Sequence, residues 1–238
     1  MDPGRLLAPL AEAPERSAIL LDVDGTLAPM APRPELADVP EETRAEVRRL
    51  AQRYALVACI SGRTGAEVSR LVGVEGVVYV GVHGLELEPE AQRWREQLAA
   101  VAAEPWQYLV EDKGLTVAFH YREAPDQHEA RAALDQVALR ARELGLAPTF
   151  GRKVLEVRPP LEANKGTAVR RLLSERNLRR ALYAGDDTTD LDAFHGLNGL
   201  DVGIRVAVAS AEGPTELREA ADIVVGSPAE LLDLLRVL

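Results

Sequence analysis

Ala18-Ile19-Leu20-Leu21 runs directly into Asp22-Val23-Asp24-Gly25-Thr26-Leu27. A short, continuous apolar run predicts a strand covered on both faces. It ends in two carboxylates two residues apart, followed by a glycine and a threonine hydroxyl. Open α/β sheets gather their chemistry at strand C-termini, so this acidic turn is a candidate site as well as a loop.

The surrounding chain repeats the pattern. Ala28–Pro40 holds four prolines, Pro29, Pro32, Pro34 and Pro40, and predicts a loop. Residues 41–53 have helical spacing at Val47, Leu50 and Ala51, with Pro40 suited to the first turn. Tyr54–Ile60 predicts a second buried strand ending in Ser61-Gly62-Arg63, followed by a helix over 66–72 and a strand over 77–80. Alternating strands and helices imply right-handed crossovers and a parallel sheet.

After Gly81-Val82-His83-Gly84-Leu85-Glu86 the character changes. A helix over roughly 89–103 leads into two strand-like runs, 106–111 and 115–121, split by Asp112-Lys113-Gly114. That spacing predicts an antiparallel hairpin. A helix over 126–144 and strands over 148–150 and 154–157 follow, with Pro159-Pro160 as a return hinge. The parallel pattern then resumes, with a helix over 165–175 and a strand over 181–184. An acidic turn at 185–190 opens a helix through Phe194; strands over 202–209 and 223–225 and a helix over 228–237 complete it. The expected fold is α/β: a doubly wound, Rossmann-like parallel-sheet core of residues 1–84 and 160–238, with an inserted α+β cap over 85–159.

Composition narrows the function classes. The chain has 238 residues, 47% hydrophobic and 28% charged, which suits a globular protein with a sizeable core. A net charge of −10 without a basic block argues against nucleic-acid binding. The one cysteine, Cys59, lies in an apolar run and is expected to pack rather than react. It permits no internal disulfide, which suits a reducing cytosol. No run approaches 18 apolar residues and no basic, apolar leader opens the chain, so a monomeric cytoplasmic protein without membrane contact is expected.

Gly185-Asp186-Asp187-Thr188-Thr189-Asp190 is a second acidic turn after a short apolar run. Two such turns at strand C-termini supply the hard oxygen ligands that Mg²⁺ prefers. The hydroxyl of Ser61 and the ammonium of Lys165, the latter at a predicted helix start, could hold phosphate oxygens.

In chain order, Asp-x-Asp-Gly-Thr, Ser, Lys and Gly-Asp-Asp-x-x-Asp resemble the four motifs of the haloacid dehalogenase (HAD) phosphohydrolases. The resemblance implies that Asp22 is a nucleophile forming an aspartyl-phosphate and that Asp24 is the general acid and base. It assigns phosphate binding to Ser61 and Lys165. It also implies a Mg²⁺ site from Asp22, Asp186 and the Val23 or Asp24 carbonyl, supported through water by Asp187 or Asp190.

Ser61-Gly62-Arg63, Gly81–Glu86, His120-Tyr121-Arg122, Lys153–Pro159 and Gly185–Asp190 with Phe194 look like the trehalose-phosphatase family of that superfamily. Membership implies hydrolysis of trehalose 6-phosphate, with the inserted unit as a substrate lid. Sugar-binding candidates are Gly62, Arg63, His83, Glu111, Lys113, Arg122, Arg152, Lys153 and Glu156. Residues 153 and 156 are three apart, so strand alternation points them to opposite faces unless a bulge intervenes. Many members carry Glu where this chain has Leu191, a departure beside the metal motif. A phosphatase for sucrose or mannosylglycerate phosphate is the rival enzyme. A non-catalytic phosphosugar-binding domain is the other alternative; the retained Asp22, Asp24, Lys165 and Asp186 speak against it.

Overall fold

A computed structural model of the chain describes residues 3–31, 33–151, 153–209 and 213–238. The described residues divide into two compact units, Met1–Gly84 with Ala163–Leu238 and Leu85–Glu162.

The first unit opens with α1 (Pro3–Ala11), β1 (Ala18–Leu21), α2 (Glu41–Arg53), β2 (Leu56–Ile60), α3 (Gly65–Val72) and β3 (Val78–Val80). The second carries α4 (Arg95–Ala102), β4 (Val110–Asp112), β5 (Val117–His120), α5 (Gln127–Glu143), β6 (Ala147–Gly151) and β7 (Val154–Arg158). The chain then returns to the first unit with α6 (Lys165–Glu175), β8 (Arg180–Gly185), α7 (Thr189–Gly196), β9 (Val202–Val208), α8 (Thr215–Ala220), β10 (Ile223–Val225) and α9 (Pro228–Leu235).

Among the described residues of the first unit, six strands form one parallel sheet in the order β10-β9-β8-β1-β2-β3. All four residues of β1 and all five of β2 are buried, as continuous apolar runs require of a sheet covered on both faces. Ile19 and Leu21 pack with Val57, Cys59, Leu182 and Ala184 in one hydrophobic cluster. The strand order runs one way from β1 and the other way from β8, so a topological switch point lies between them. Leu21 pairs with Ala184 on one side and Cys59 on the other, and the Asp22 amide donates to the Ala184 carbonyl at 2.9 Å. This register brings the ends of β1, β2 and β8 level.

Capping fixes the helices that leave that edge. Thr64 and Glu67 form a reciprocal capping box at the start of α3. Asn164 and Thr167 do the same for α6, which sets Lys165 in its first turn. The helix α8 has no counterpart in the sequence expectation; it spans six residues and buries only Leu217, too little for a periodic signal.

The sheet of the second unit is antiparallel, in the order β4-β5-β7-β6. Val117, Phe119, Leu155 and Val157 face a cluster with Leu98, Val101, Leu134 and Val137 from α4 and α5. Glu111, Ala118, Glu156 and Thr149 lie in one cross-strand row and share the opposite face, because directly paired residues project to the same side. Two expectations shift here. The helix expected from 89 begins as 3₁₀ turns over Pro89–Trp94, a common way for an α-helix to start. The strand expected from 106 is regular only from Val110, although the Leu109 carbonyl still accepts the His120 amide at 3.0 Å; before it, the Trp106 indole donates to the His120 carbonyl at 3.0 Å.

Candidate active site

The β1 turn is folded by its own backbone. The Val23 carbonyl accepts the amides of Thr26, Leu27 and Ala28 at 3.3, 2.9 and 2.8 Å. It is thereby occupied, which leaves the Asp24 carbonyl as the better of the two proposed backbone ligands. Gly25 has a left-handed φ of 77°, and a Cβ there would sit 2.0 Å from Asp186 Oδ2. The motif needs glycine because the first acidic turn passes directly against the second. The Thr26 hydroxyl confirms the approach by donating to Asp186 Oδ1 at 3.2 Å.

Asp22, Asp186 and Asp190 converge with carboxylate oxygens within 4.8 Å of one another, and all three residues are buried. Lys165 bridges two of them, with Nζ 2.9 Å from Asp22 Oδ1 and 2.7 Å from Asp190 Oδ1. Burial pushes the Asp22 carboxyl well above the usual range; Lys165 opposes this, while Asp190 and Asp186 reinforce it. Burial, then the charge of Asp190, raises Asp186 to about 6. For Lys165, burial disfavours the ammonium, but Asp22 and Asp190 outweigh it and raise the pKa above its ordinary value.

The donor set suits a hard divalent cation. When all are ionised, three carboxylates against one ammonium leave two negative charges for a cation to offset, and the oxygens of Asp22 and Asp186 face each other. Asp190 already has protein donors on both oxygens. Its Oδ1 accepts Lys165 Nζ and the Tyr183 hydroxyl at 2.7 and 2.6 Å; its Oδ2 accepts the amides of Asp186 and Asp187, both at 2.9 Å. With four donors in place, Asp190 anchors the turn and orients Lys165. Gly185 makes room for it, since a Cβ there would lie 2.2 Å from the Asp190 Cγ. Asp187 is exposed and accepts the Thr188 amide at 2.7 Å, outside the buried triad. Leu191 is half-buried on α7.

Asp24 stands apart from the triad. Arg63 grips it with two bonds of 2.7 Å, Nε to Oδ2 and Nη2 to Oδ1. Ser61 is buried, two residues beyond the Cys59 that pairs with Leu21, and its Oγ accepts the Arg63 amide at 3.2 Å. The His83 amide donates to the Ser61 carbonyl at 2.9 Å. Val82 and His83 both hold positive φ, 50° and 53°, a costly conformation for a β-branched residue that tertiary contacts must sustain. The His83 imidazole lies against Gly62, where a Cβ would sit 2.7 Å from Nε2.

In the second unit, Glu111 ties an ammonium and an imidazole to the sheet face opposite the hydrophobic cluster. Lys113 Nζ lies 3.4 Å from its Oε1 and His120 Nε2 3.3 Å from its Oε2. Glu156 shares that face, two strands from Glu111. Lys153 sits in the β6–β7 turn with φ 67°, so strand alternation does not apply to it and no bulge is needed. Arg122 is exposed in the turn after β5, and Arg152 lies outside the described residues. Tyr183 and His120 were not among the sequence-derived site residues. Tyr183 reads as one more apolar strand residue, and only its position before Gly-Asp-Asp hinted at a role; His120 is the i+2 neighbour of Ala118 on the charged face.

A family model for trehalose-phosphatase matches residues 20–110 and 108–221. A trehalose 6-phosphate phosphatase of Zea mays is 32% identical over 264 residues, covering 96% of this chain and 72% of that protein. A trehalose-phosphate phosphatase of Mycobacterium marinum is 34% identical over 213 residues, covering 80% of this chain. The chain spans only about half, 54%, of that relative and 16% of a Mycobacterium tuberculosis protein named an uncharacterized glycosyl hydrolase. The C-terminal domain of the Candida albicans trehalose-6-phosphate phosphatase superposes with a TM-score of 0.72 at 25% identity, covering 99% of this chain and 96% of that one. A haloacid dehalogenase-like hydrolase from Bacteroides thetaiotaomicron shares the fold at 14% identity, with a TM-score of 0.61 over 94% of this chain and all of the other.

Proposed function

The chain belongs to the trehalose-phosphatase family, and from that membership we propose that it is a Mg²⁺-dependent phosphatase releasing trehalose and phosphate from trehalose 6-phosphate. The observation that carries the chemistry is the buried pair of Asp22 and Lys165, 2.9 Å apart, facing Asp186 at the switch point of a parallel sheet.

An anionic nucleophile and a phosphate dianion repel each other unless cations offset the charge. Lys165 supplies one positive charge beside Asp22. Asp22, Asp186 and the Asp24 carbonyl would hold Mg²⁺, which when bound supplies the remaining neutralisation and polarises the phosphoryl oxygens. Asp22 attacks phosphorus while Asp24 protonates the departing sugar oxygen, giving an aspartyl-phosphate and the free sugar. Water then attacks phosphorus, Asp24 takes its proton, and Asp22 is regenerated as phosphate leaves. Ser61 at the end of β2 donates to a phosphate oxygen, and Asp190 keeps Lys165 aimed at Asp22.

The open face of the second unit supports a polyhydroxylated substrate. Glu111, Lys113, His120 and Glu156 offer the charged donors and acceptors that hydroxyl-rich sugars bind. Arg122, Arg152, Lys153, Gly62 and His83 belong to the same proposal as sugar contacts. The working form is proposed as a cytoplasmic monomer acting on a small molecule, without nucleic acid or membrane. The free, buried Cys59 is compatible with a reducing compartment, and no helix of the described residues is long and apolar enough to cross a membrane.

Phosphate release across a panel of trehalose, sucrose, mannosylglycerate and glucose phosphates, with Mg²⁺ and with chelator, tests the proposal. Preference for trehalose 6-phosphate and loss with chelator are expected. Equal turnover of glucose 6-phosphate would remove the disaccharide assignment.

A further inference from the structure

We propose that Arg63 is the positioning residue for Asp24 in the second half of the reaction: its guanidinium fork holds the Asp24 carboxylate ready to take a proton from the water that cleaves the aspartyl-phosphate.

The side chain of Asp24 is 33% exposed, whereas that of Asp22 is 7% exposed and clamped by Lys165. A half-buried aspartate on a turn has less packing to select its rotamer than a fully buried one. Arg63 supplies the missing constraint, because two parallel bonds of 2.7 Å set the carboxylate's plane as well as its place. Each oxygen retains a second lone pair that can accept a proton from water.

The fork is itself built in. Its Nη2 also donates to the Pro34 carbonyl at 2.9 Å, at the head of the 3₁₀ turn Pro34–Leu36. At the other end of the residue, the Arg63 amide donates to Ser61 Oγ at 3.2 Å and its carbonyl accepts the Val82 amide at 2.8 Å. Gly81 packs so closely that a Cβ would lie 2.7 Å from the Arg63 oxygen. The proline-rich loop and the positive-φ segment thus hold Arg63 from both ends. That is more constraint than an arginine needs to meet a substrate, and it is what aiming another side chain requires.

This role rests on the aspartyl-phosphate chemistry proposed above. In the step concerned, the water oxygen bonds phosphorus, the Asp22 Oδ–phosphorus bond breaks, the water proton passes to Asp24, and Asp22 departs as a carboxylate. Forming the aspartyl-phosphate from an aryl ester with a good leaving group does not need Asp24 as an acid. The two half-reactions therefore separate.

Rapid mixing of wild type, Arg63→Lys and Arg63→Ala with p-nitrophenyl phosphate and saturating Mg²⁺ reads both. The first-turnover release of p-nitrophenolate should keep its rate in the variants, while the steady-state rate falls on the order of tenfold or more. KM for the aryl ester should not rise, and millimolar guanidinium should restore part of the Arg63→Ala steady state. A parallel fall of both phases, a rise in KM at constant kcat, or no change in Arg63→Ala would each overturn the assignment. A wild type active on p-nitrophenyl phosphate but idle on trehalose 6-phosphate would remove only the substrate proposal and leave this one standing. A wild type that turns over neither ester would take down both.

Discussion

Nζ of Lys165 stands 2.7 Å from Oδ1 of Asp190, and both side chains are closed to solvent, at 2% and 0% exposure. Asp190 is not a neighbour of Asp22 in sequence, yet the two carboxylates share one cation, because the same ammonium reaches Asp22. It also holds the 185–187 turn through two amides, so one carboxylate organises the cation and the acidic turn together.

Replacing that carboxylate tests the arrangement. Asp190→Asn keeps the shape, sets an amide donor against existing donors, and leaves Lys165 with one partner. Breaking a buried pair in this way costs about 3–5 kcal/mol. Tyr183→Phe removes one of the four donors and should cost only ~1–2 kcal/mol. Urea midpoints in Mg²⁺ measure both; equal effects would mean that Asp190 is not the anchor.

Asp22→Asn should lower turnover by a factor of about 10³ or more while leaving the fold intact. Single-turnover phosphate release and circular dichroism on the same sample check the two halves. Substantial residual turnover would exclude the aspartyl-phosphate route.

Acidity should affect the metal-free protein in an unusual direction. Burial raises Asp186 from the ordinary 3.8 to about 6 in the folded chain, and Asp22 moves the same way. The folded state then binds more protons than the unfolded state between about pH 4 and pH 6, so these groups withdraw stability as pH rises through that window. Above it, Mg²⁺ should restore what was lost. Melting curves at pH 5 and pH 7.5, with chelator and with Mg²⁺, should show a larger Mg²⁺ effect at the higher pH, reduced in Asp186→Asn. A Mg²⁺ effect independent of pH would contradict this.

Gly25→Ala puts a methyl group 2.0 Å from Asp186 Oδ2 at a residue with φ 77°. Strain of about 1–3 kcal/mol is expected, together with weaker Mg²⁺ binding, because the two acidic turns must move apart. Isothermal titration with Mg²⁺ reads the second effect directly. Unchanged affinity would mean that the approach of Gly25 to Asp186 has no part in the metal site.

On the second unit, Glu111→Ala frees Lys113 and His120 from their shared partner. KM for trehalose 6-phosphate should rise about tenfold while turnover of p-nitrophenyl phosphate stays unchanged, as expected of a sugar contact. Parallel losses on both substrates would assign Glu111 to stability instead.

Local signals carried a large part of the fold. The buried β1 and β2 strands read directly from unbroken apolar runs, α2 from its spacing and the proline before it, and the hairpin over 110–120 from its glycine turn. Boundaries shifted where an apolar run extended beyond the paired residues, as at 106–109, and α8 was missed because it is too short to show a period. Lys153 defeated the alternation rule because it occupies a turn, which two-residue periodicity does not describe.

At the site, sequence alone determined which groups are present and that they gather. In a parallel sheet every strand ends on the same edge, so acids that follow β1 and β8 must lie near one another once those strands are neighbours. What each group does with its lone pairs was decided only by the tertiary structure. Thr26 reaches Asp186 across 160 residues, Arg63 takes both oxygens of Asp24, Val23 spends its carbonyl on its own turn, and Asp190 is filled by four donors. Such partners are separated along the chain and brought within 3 Å or so by strand order and register, and a hydrogen bond is sensitive to distance and angle in a way that no spacing rule encodes.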